Sequence, residues 1–176
     1  KTRLFLPPNA YIIYKLTGQM AIDYSSAGNL GGLFDMNTRS WSYELMDDMG
    51  VPRTIMPERI VENTEIVGRL TAETATELAL PADTPVFNGG VDCGVATLGL
   101  GVFAPGEYAA AIGTSMCAAL IHEQPIGAED LIAWPYVYQA KKLTYSFGGG
   151  ATAGAVVKWF RDTFAQEEKR AVAASK

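Results

Sequence analysis

The sequence has few of the residues that usually carry covalent or metal chemistry. It contains two cysteines, Cys93 and Cys117, and one histidine, His122, among 176 residues. Two cysteines are too few for a disulfide scaffold, and with one histidine and no closely spaced cysteine pair a zinc site is not indicated. No serine or cysteine stands in a nucleophile elbow, so a hydrolase triad is not indicated either. We expect two free, buried thiols and a histidine at a strand end on the surface.

Charge and long apolar runs are also scarce. Charged residues make up 19% of the chain and the net charge is −5. No cluster of Lys and Arg is dense enough to follow a phosphate backbone, which argues against nucleic acid as a partner. No apolar run approaches the ~20 residues of a membrane span, and the start at Lys1 lacks the apolar core of a signal peptide. We therefore expect a globular, cytoplasmic protein without a membrane partner and, from the low charge and the start without Met, a piece of a longer chain.

Local patterns predict a mixture of helices and strands. N-cap residues predict three short helices in the first half, at residues 24–29 after Asp23, 41–49 after Ser40 and 72–80 after Thr71. A strand is predicted at residues 65–70, and a long helix with an apolar stripe follows residue 154. None of these elements carries chemistry by itself.

The middle of the chain combines a strand, a glycine turn and an acid. Residues 84–92 predict a buried strand that runs into Gly89 and Gly90 and ends at Asp92, and a helix of small residues follows over 93–101. The carboxyl end of a strand is where open α/β sheets bind ligands, so Asp92 is a candidate to accept a proton from a substrate hydroxyl. Asp is also favoured as the N-cap of a helix, and the residues alone leave both roles open.

Two further turns are candidates for binding an anion. Gly113, Thr114 and Ser115 form the tip of a predicted hairpin, where backbone N–H and hydroxyl groups can hold phosphate oxygens. Glycines 148–150 and Gly154 lead from a predicted strand into the long helix, whose N-terminus is a second candidate. The spacing G-x-G-x-x-x-G differs from the dinucleotide fingerprint, so a nicotinamide cofactor is not indicated. Both turns are also open to a purely structural explanation, because tight turns and close packing need the same residues.

The order of these motifs resembles that of a known family. LTG, D-x-S-S-A, LFD and W are followed by P-x-V, G-G-x-D, G-x-G-V and P-G, then by G-T-S at the hairpin tip and A-G-x-x-x-x-W-F-R-D near the end. The ordered set resembles the FGGY family of carbohydrate kinases, in particular its xylulokinase-like members. The matching stretches are Leu16–Asn29, Leu33–Trp41, Pro85–Leu120 and Ala153–Asp162.

The resemblance implies an α/β protein of the actin/Hsp70/hexokinase-like (ribonuclease H-like) superfold, whose two domains flank a deep cleft. Residues 1–102 would be the C-terminal part of the first, sugar-binding domain, and residues 103–176 the N-terminal part of the second, ATP-binding domain. The implied activity is the ATP-dependent phosphorylation of a pentulose, hexulose or polyol such as xylulose. ATP and Mg²⁺ are the implied cofactors, and a homodimer is an open expectation.

The resemblance also implies roles for individual residues. Asp92 matches the catalytic aspartate that deprotonates the sugar hydroxyl, and Cys93 stands where the family often has an Asn or Gln that contacts the substrate. The nucleotide phosphates are matched to the hairpin tip and to the start of the long helix, at Gly113, Thr114, Ser115, Gly154 and Lys158. No residue of the chain is matched to a metal ligand.

Two motifs of the family are not found in this sequence. They are the D-x-G-T turn that helps to hold Mg²⁺ and the later glycine-rich adenosine motif. We therefore expect the 176-residue chain to be inactive by itself. Two other functions remain open from the sequence: an ATPase of the same superfold with a non-sugar substrate, and a binding or structural module in which Asp92 is only a cap and the glycines only pack.

Overall fold

The structure is a computed structural model that describes residues 2–124 and 130–175. Helices and short strands alternate along the chain. The helices are α1 (Pro8–Thr17), α2 (Tyr24–Gly28), α3 (Tyr43–Asp48), α4 (Ala72–Leu78), α5 (Asp92–Gly99), α6 (Gly154–Phe164) and α7 (Gln166–Ala174), with a 3₁₀ turn at Arg53–Ile55. The strands are β1 (Ile22–Asp23), β2 (Phe34–Asp35), β3 (Ser40–Trp41), β4 (Ile60–Val61), β5 (Ile66–Arg69), β6 (Pro85–Phe87), β7 (Tyr108–Ile112), β8 (Met116–His122), β9 (Ile132–Pro135) and β10 (Thr144–Gly150).

The residues before α5 form three two-stranded sheets. The strands β1 and β4 are parallel, whereas β2 with β3 and β5 with β6 are antiparallel. One buried cluster includes residues of α2 and α3; its buried members are Ile22, Ala27, Leu33, Phe34, Trp41, Met46 and Met56. A second cluster includes a residue of α1; its buried members are Ile13, Ala21, Val61 and Val67. Burial of these side chains holds the short strands together, because two-stranded sheets are marginal by themselves.

Two of the three predicted N-caps are confirmed. The Asp23 carboxyl accepts the N–H of Ser26 at 2.8 Å where α2 begins. The Thr71 hydroxyl accepts the N–H of Thr74 at 3.2 Å where α4 begins. In each case the side chain satisfies a backbone donor that the first helical turn leaves free.

The helix predicted after Ser40 is wrong at its start. Ser40 and Trp41 form β3 opposite β2, and α3 begins only at Tyr43. The cause is the Trp41 side chain, which packs edge-on against Phe34 at 6.2 Å between ring centroids and donates its indole N–H to the Pro57 carbonyl at 2.8 Å. These contacts hold Trp41 in the hairpin, so that α3 is shorter than predicted and spans Tyr43–Asp48.

The strand predicted over residues 84–92 is also shorter and less buried than expected. Only Pro85–Phe87 form a strand, and it pairs antiparallel with β5. Pro85 and Phe87 are exposed and Val86 is half-buried, so the prediction of a buried strand is wrong for this part of the chain. The residues from Asn88 to Val91 form an irregular turn that leads into α5.

The second half is built on one antiparallel sheet in the order β7-β8-β10-β9. Its buried face carries a stack of aromatic rings in which Tyr145 lies 5.1 Å from Trp134 and 5.9 Å from Tyr136. The helix α5 packs on this face through half-buried Cys93 and Leu98. Glycines 148–150, predicted as a turn, instead continue β10 and pair with β8, so that prediction is wrong.

Several contacts join the two halves. The Glu62 carboxylate accepts the N–H groups of Ala140 at 2.9 Å and Lys141 at 3.2 Å. The Arg39 guanidinium donates to the Thr144 hydroxyl at 2.7 Å, and burial lowers the pKa of Arg39. The helix α2 packs against β9. The first half of the chain therefore contacts the second half through Glu62, Arg39 and α2, in addition to α5.

The helices at the end of the chain contribute little to these cores. The predicted stripe of α6 is formed, but Val156, Phe160 and Phe164 are 48%, 57% and 63% exposed. Among the residues that the structure describes, no helix combines the length and the apolar character needed to cross a membrane. The stripe is an amphipathic helix face.

Candidate active site

Asp92 lies at the first position of α5, with Val91 at the N-cap position. Its side chain is exposed, and Oδ1 accepts the N–H of Cys93 at 2.7 Å. Oδ2 has no hydrogen bond to the residues that the structure describes. The predicted N-cap role is therefore wrong by one position, because α5 begins at Asp92 itself and the N-cap residue has no side chain that can bond. The free carboxylate oxygen is available to another molecule.

The turn before Asp92 is tightly packed on its inner side. The Val91 N–H donates to the Ser25 hydroxyl oxygen at 3.1 Å, and the Asn63 side-chain amide donates to the Gly89 carbonyl. Gly89 has φ +70°, which favours glycine. A Cβ on Gly90 would lie 2.8 Å from Ser25 Oγ, so only glycine fits there without displacement. The turn is ordered by contacts from the first half of the chain.

Cys93 and Cys117 are both free and half-buried, rather than fully buried as predicted. Burial raises the pKa of the Cys93 thiol, the hydrogen bond with Tyr145 opposes this shift, and the nearby charge of Asp92 adds to it. Burial also raises the pKa of Tyr145 to about 12. Cys93 is therefore a neutral thiol that packs α5 on the sheet.

The hairpin tip is seated on the start of α6. The N–H groups of Ala153 and Gly154 donate to the carbonyls of Thr114 and Gly113 at 2.8 and 2.9 Å, and that of Ala155 reaches the Thr114 carbonyl at 3.4 Å. A Cβ on Gly154 would collide with the Gly113 carbonyl oxygen. The structure thus brings together the two glycine-rich turns that the sequence singles out.

This contact changes which groups can bind an anion. The first N–H groups of α6 are used by the tip carbonyls, so the prediction of a free helix N-terminus is wrong for Ala153, Gly154 and Ala155. The tip itself is exposed, and within the described part of the chain the N–H groups of Thr114 and Ser115 donate to no backbone carbonyl. Free donors on an exposed turn are suited to phosphate oxygens.

The remaining candidates lie near these elements. Lys158 is exposed on α6, one helical turn after Gly154, and forms no ion pair with the described residues. Cys93 packs on Tyr145 of β10, and β10 ends at Gly150 opposite Met116, next to the tip. The strand β10 therefore contacts α5 at Tyr145 and runs on to end beside the tip, and no hydrogen bond within residues 2–124 and 130–175 joins Asp92 to the tip. His122 is half-buried at the end of β8, with its Nε2 2.6 Å from the Ser146 hydroxyl.

The described residues do not form a Mg²⁺ site of their own. Within them, no three His, Cys, Asp or Glu side chains gather closely enough to hold a metal ion. Asp92 is a single carboxylate, whereas Mg²⁺ takes an octahedron of oxygens that substrate phosphates and waters largely fill in kinases. The exposed N–H groups of the tip are donors of the kind that bind phosphate oxygens in other proteins.

Three residues of this region were not expected from the sequence as parts of a site. Asp23 is predicted only as a cap, yet it is fully buried and bonded to Ser25 and Asn63 beneath the turn. The D-x-S-S-A motif contains Asp23 and Ser25 and is a signal for them. No local sequence pattern points to Asn63, because its partner Asp23 lies 40 positions away in the chain.

Solved structures of known proteins share this fold. A crystal structure of a xyloylose kinase from Brucella ovis superposes with a TM-score of 0.80 over 91% of this chain and 33% of that chain, at 29% identity. A xylulose kinase from Rhodospirillum rubrum superposes with a TM-score of 0.85 over 98% of this chain and 35% of that chain; at 22% identity it shows the fold alone. The fold is that of sugar kinases with the actin/hexokinase-like architecture, which confirms the predicted fold class.

The family follows from the sequence comparisons. A model of the FGGY family of carbohydrate kinases, N-terminal domain, matches residues 1–99. An autoinducer-2 kinase from Yersinia enterocolitica is 34% identical over 160 residues, which are 88% of this chain and 29% of that protein. The chain belongs to the FGGY family of carbohydrate kinases, which confirms the resemblance. It spans less than a third of the length of this curated relative.

Proposed function

We propose that the chain is a segment of a longer ATP-dependent sugar kinase, which transfers the γ-phosphate of ATP to a hydroxyl of a pentulose, hexulose or polyol such as xylulose. The observation that carries the proposal is the Asp92 carboxylate. It is exposed, has one free oxygen and stands on an ordered glycine turn at the start of α5. An exposed carboxylate on a rigid support is suited to act as a general base.

In the proposed reaction, the sugar hydroxyl oxygen attacks the γ-phosphorus of ATP while Asp92 accepts the hydroxyl proton. The bond between the γ-phosphorus and the β,γ-bridging oxygen breaks, and ADP leaves with the electron pair. Phosphoryl transfer needs little covalent help from a protein, so positioning and electrostatic stabilisation dominate. Asp92 would supply the base, and Cys93, the next residue, would lie beside the bound sugar.

The phosphate side of the site is proposed to be the hairpin tip. The N–H groups of Thr114 and Ser115 and their hydroxyls are exposed donors, and Gly113 leaves room for the backbone to approach a phosphate. Gly154 would act by seating the tip on α6, and Lys158 would add a positive charge one turn further on. Mg²⁺, when bound with ATP, would neutralise phosphate charge, and its protein ligands are proposed to lie outside these residues.

The arrangement of domains is part of the same proposal. Residues 1–102 would complete the first, sugar-binding domain, and residues 103–176 would begin the second, ATP-binding domain. The packing of α5 on the second sheet would then place Asp92 at the junction of the two domains. We propose a cytoplasmic location, where ATP is available, and a homodimer stays a prediction.

A second acceptor is favoured by one specific observation. The relative from Yersinia enterocolitica is an autoinducer-2 kinase, and its 34% identity exceeds the 29% of the Brucella ovis xyloylose kinase. Autoinducer-2 is therefore the second candidate for the sugar that this chain helps to phosphorylate. The two acceptors can be separated by assaying ADP release with xylulose, other pentuloses and hexuloses, polyols and autoinducer-2.

The variant Asp92→Asn in the full-length kinase tests the catalytic proposal. Removal of a general base typically lowers turnover by ~10²–10⁴-fold. We expect a loss of kcat in that range, with the KM for ATP within about twofold of wild type, because the amide keeps the shape of the turn. Asp83→Asn is the matched control, since it removes the same charge from an exposed carboxylate in the loop before β6. A kcat above about a tenth of wild type for Asp92→Asn would refute the assignment of Asp92 as the general base.

A further inference from the structure

Asp23 is held by more hydrogen bonds than a helix cap requires. Its side chain is fully buried. One oxygen accepts from Asn9 Nδ2 at 2.8 Å, and the other accepts from the Ser26 N–H at 2.8 Å, from Asn63 Nδ2 at 2.8 Å and from the Ser25 hydroxyl. Only the bond from Ser26 belongs to the cap. A buried carboxyl is costly unless it is fully bonded, so the other partners need an explanation.

Two of these partners continue from Asp23 to the turn that precedes Asp92. The Ser25 oxygen, which donates its proton to Asp23, accepts the Val91 N–H at 3.1 Å. The Asn63 amide nitrogen is within hydrogen-bond distance of Asp23 and also donates to the Gly89 carbonyl. The turn is thus held at two points, on either side of Gly90.

Asp23 fixes the orientation of both partners. Asp23 Oδ1 already accepts the Ser26 N–H, so the Ser25 hydroxyl donates its proton to that oxygen, which leaves the Ser25 lone pairs for the Val91 N–H. For the same reason Asn63 must turn its NH₂ group toward Asp23. Its Oδ1 is buried without a partner among the described residues, so the amide is oriented by its nitrogen. One carboxyl therefore determines how both side chains bond to the turn.

The packing around Gly90 makes the arrangement rigid. A Cβ at Gly90 would lie 2.8 Å from Ser25 Oγ and 2.7 Å from Val137 Cγ1, so the backbone is in direct contact with α2 on one side and with the second half of the chain on the other. Asp92 follows two residues later, and among the described residues its carboxyl bonds to the N–H of Cys93 alone. Any shift of the turn moves the carboxyl with it.

We propose that Asp23, Ser25 and Asn63 form a positioning network that holds the Gly89–Val91 turn and thereby sets the Asp92 carboxyl for proton transfer. The proposal rests on the catalytic role proposed for Asp92. None of the three residues touches substrate, because the network lies on the buried side of the turn. A displacement of about 1 Å of a catalytic group can lower the rate ~100-fold, so loss of one bond in the network should be visible in kcat.

The test uses Ser25→Ala in the full-length kinase, alone and combined with Asp92→Asn. Ser25→Ala removes the acceptor of the Val91 N–H and creates almost no steric change. We expect kcat to fall by about 10–100-fold with the KM for ATP within about twofold. In the Asp92→Asn background the same substitution should lower kcat less than about twofold, because there is no base left to position. Deuterium exchange of the peptide containing residues 88–92 should be faster in Ser25→Ala.

Controls separate positioning from a general effect on stability. Thr17→Val also removes a buried hydroxyl, which donates to the Ile13 carbonyl away from the turn, and should leave kcat within about twofold of wild type. If Ser25→Ala does not fold, Asn63→Ala tests the other side of the network with the same readouts. The proposal is overturned if kcat is unchanged, if exchange at the turn is unchanged, or if the loss of kcat is equal in both backgrounds.

The outcome for Asp92→Asn alone distinguishes the two proposals. If that variant keeps more than about a tenth of wild-type kcat, Asp92 is not the base and the positioning role falls with it. If Asp92→Asn is inactive as expected and Ser25→Ala is fully active, the proposed function stands and only the network is refuted.

Discussion

The contact between Gly154 and the hairpin tip gives a prediction that can be worked out from the structure. In Gly154→Ala, the added methyl group would collide with the Gly113 carbonyl oxygen, a backbone atom that cannot rotate away. To reach ordinary contact distance, the tip and the helix must separate by about 1 Å. The separation weakens the hydrogen bonds from Ala153 and Gly154 to the tip carbonyls, which are now 2.8 and 2.9 Å long.

The magnitude follows from these two bonds. Each contributes about 1 kcal/mol net, so their loss costs about 2 kcal/mol. Alanine is a better helix former than glycine by at most ~1 kcal/mol, which offsets part of the loss. We expect the free energy of unfolding of Gly154→Ala to fall by about 1–2 kcal/mol. If the tip binds the phosphates of ATP, its displacement should also lower kcat/KM for ATP by up to ~100-fold.

Urea unfolding and steady-state kinetics of the full-length kinase measure both effects. Gly99→Ala is the matched control, since Gly99 lies in α5 and a Cβ there would have no neighbour within 4 Å. The control should be as stable as wild type or more stable, by up to ~1 kcal/mol. If Gly154→Ala is as stable as wild type, the seating of the tip on α6 is not as tight as its geometry implies. If it is less stable but binds ATP normally, the tip does not contact the phosphates.

Three further results are expected. Thr114→Val should raise the KM for ATP about tenfold, through loss of one hydroxyl donor to phosphate, and leave the KM for sugar unchanged; an effect confined to the sugar would place the phosphates elsewhere. Burial raises the pKa of Tyr136 and Tyr145 to about 12 in the folded protein. In the unfolded chain these hydroxyls lose their protons at lower pH, near pH 10, so the free energy of unfolding should fall as the pH rises from about 10 to about 12. Equal urea midpoints at pH 9 and pH 11 would contradict this. Residues 1–176 alone should form no ADP with any sugar, and turnover near ~1–100 s⁻¹ would contradict the proposed need for further segments.

Local signals were enough where one side chain bonds to a nearby backbone group. The caps at Asp23 and Thr71 follow from residue type and position, because the bond spans only three residues. The hairpin predicted with its tip at Gly113, Thr114 and Ser115 is confirmed as β7 and β8. The ordered motifs were also sufficient to identify the family and its fold.

The predictions that are wrong concern partners distant in sequence. Residues 148–150 look like a flexible turn, but pairing with β8 keeps them in a strand. The helix predicted over residues 41–49 after Ser40 starts late, because Trp41 pairs with Phe34 in a hairpin. The first N–H groups of α6 look free until the tip is seen to use them. Asn63 has no local signal, because its role depends on a contact across 40 residues.

The three tryptophans of the chain lie in three different settings. Trp41 is 7% exposed in the first core, Trp134 is 4% exposed beside Tyr145 in the second, and Trp159 is 58% exposed on α6. Buried indoles emit at shorter wavelength than indoles in water, so each region has its own fluorescence signature. Variants that keep one tryptophan and replace the other two with Phe would therefore report each region separately. The order in which the two cores assemble can then be timed in a stopped-flow refolding experiment.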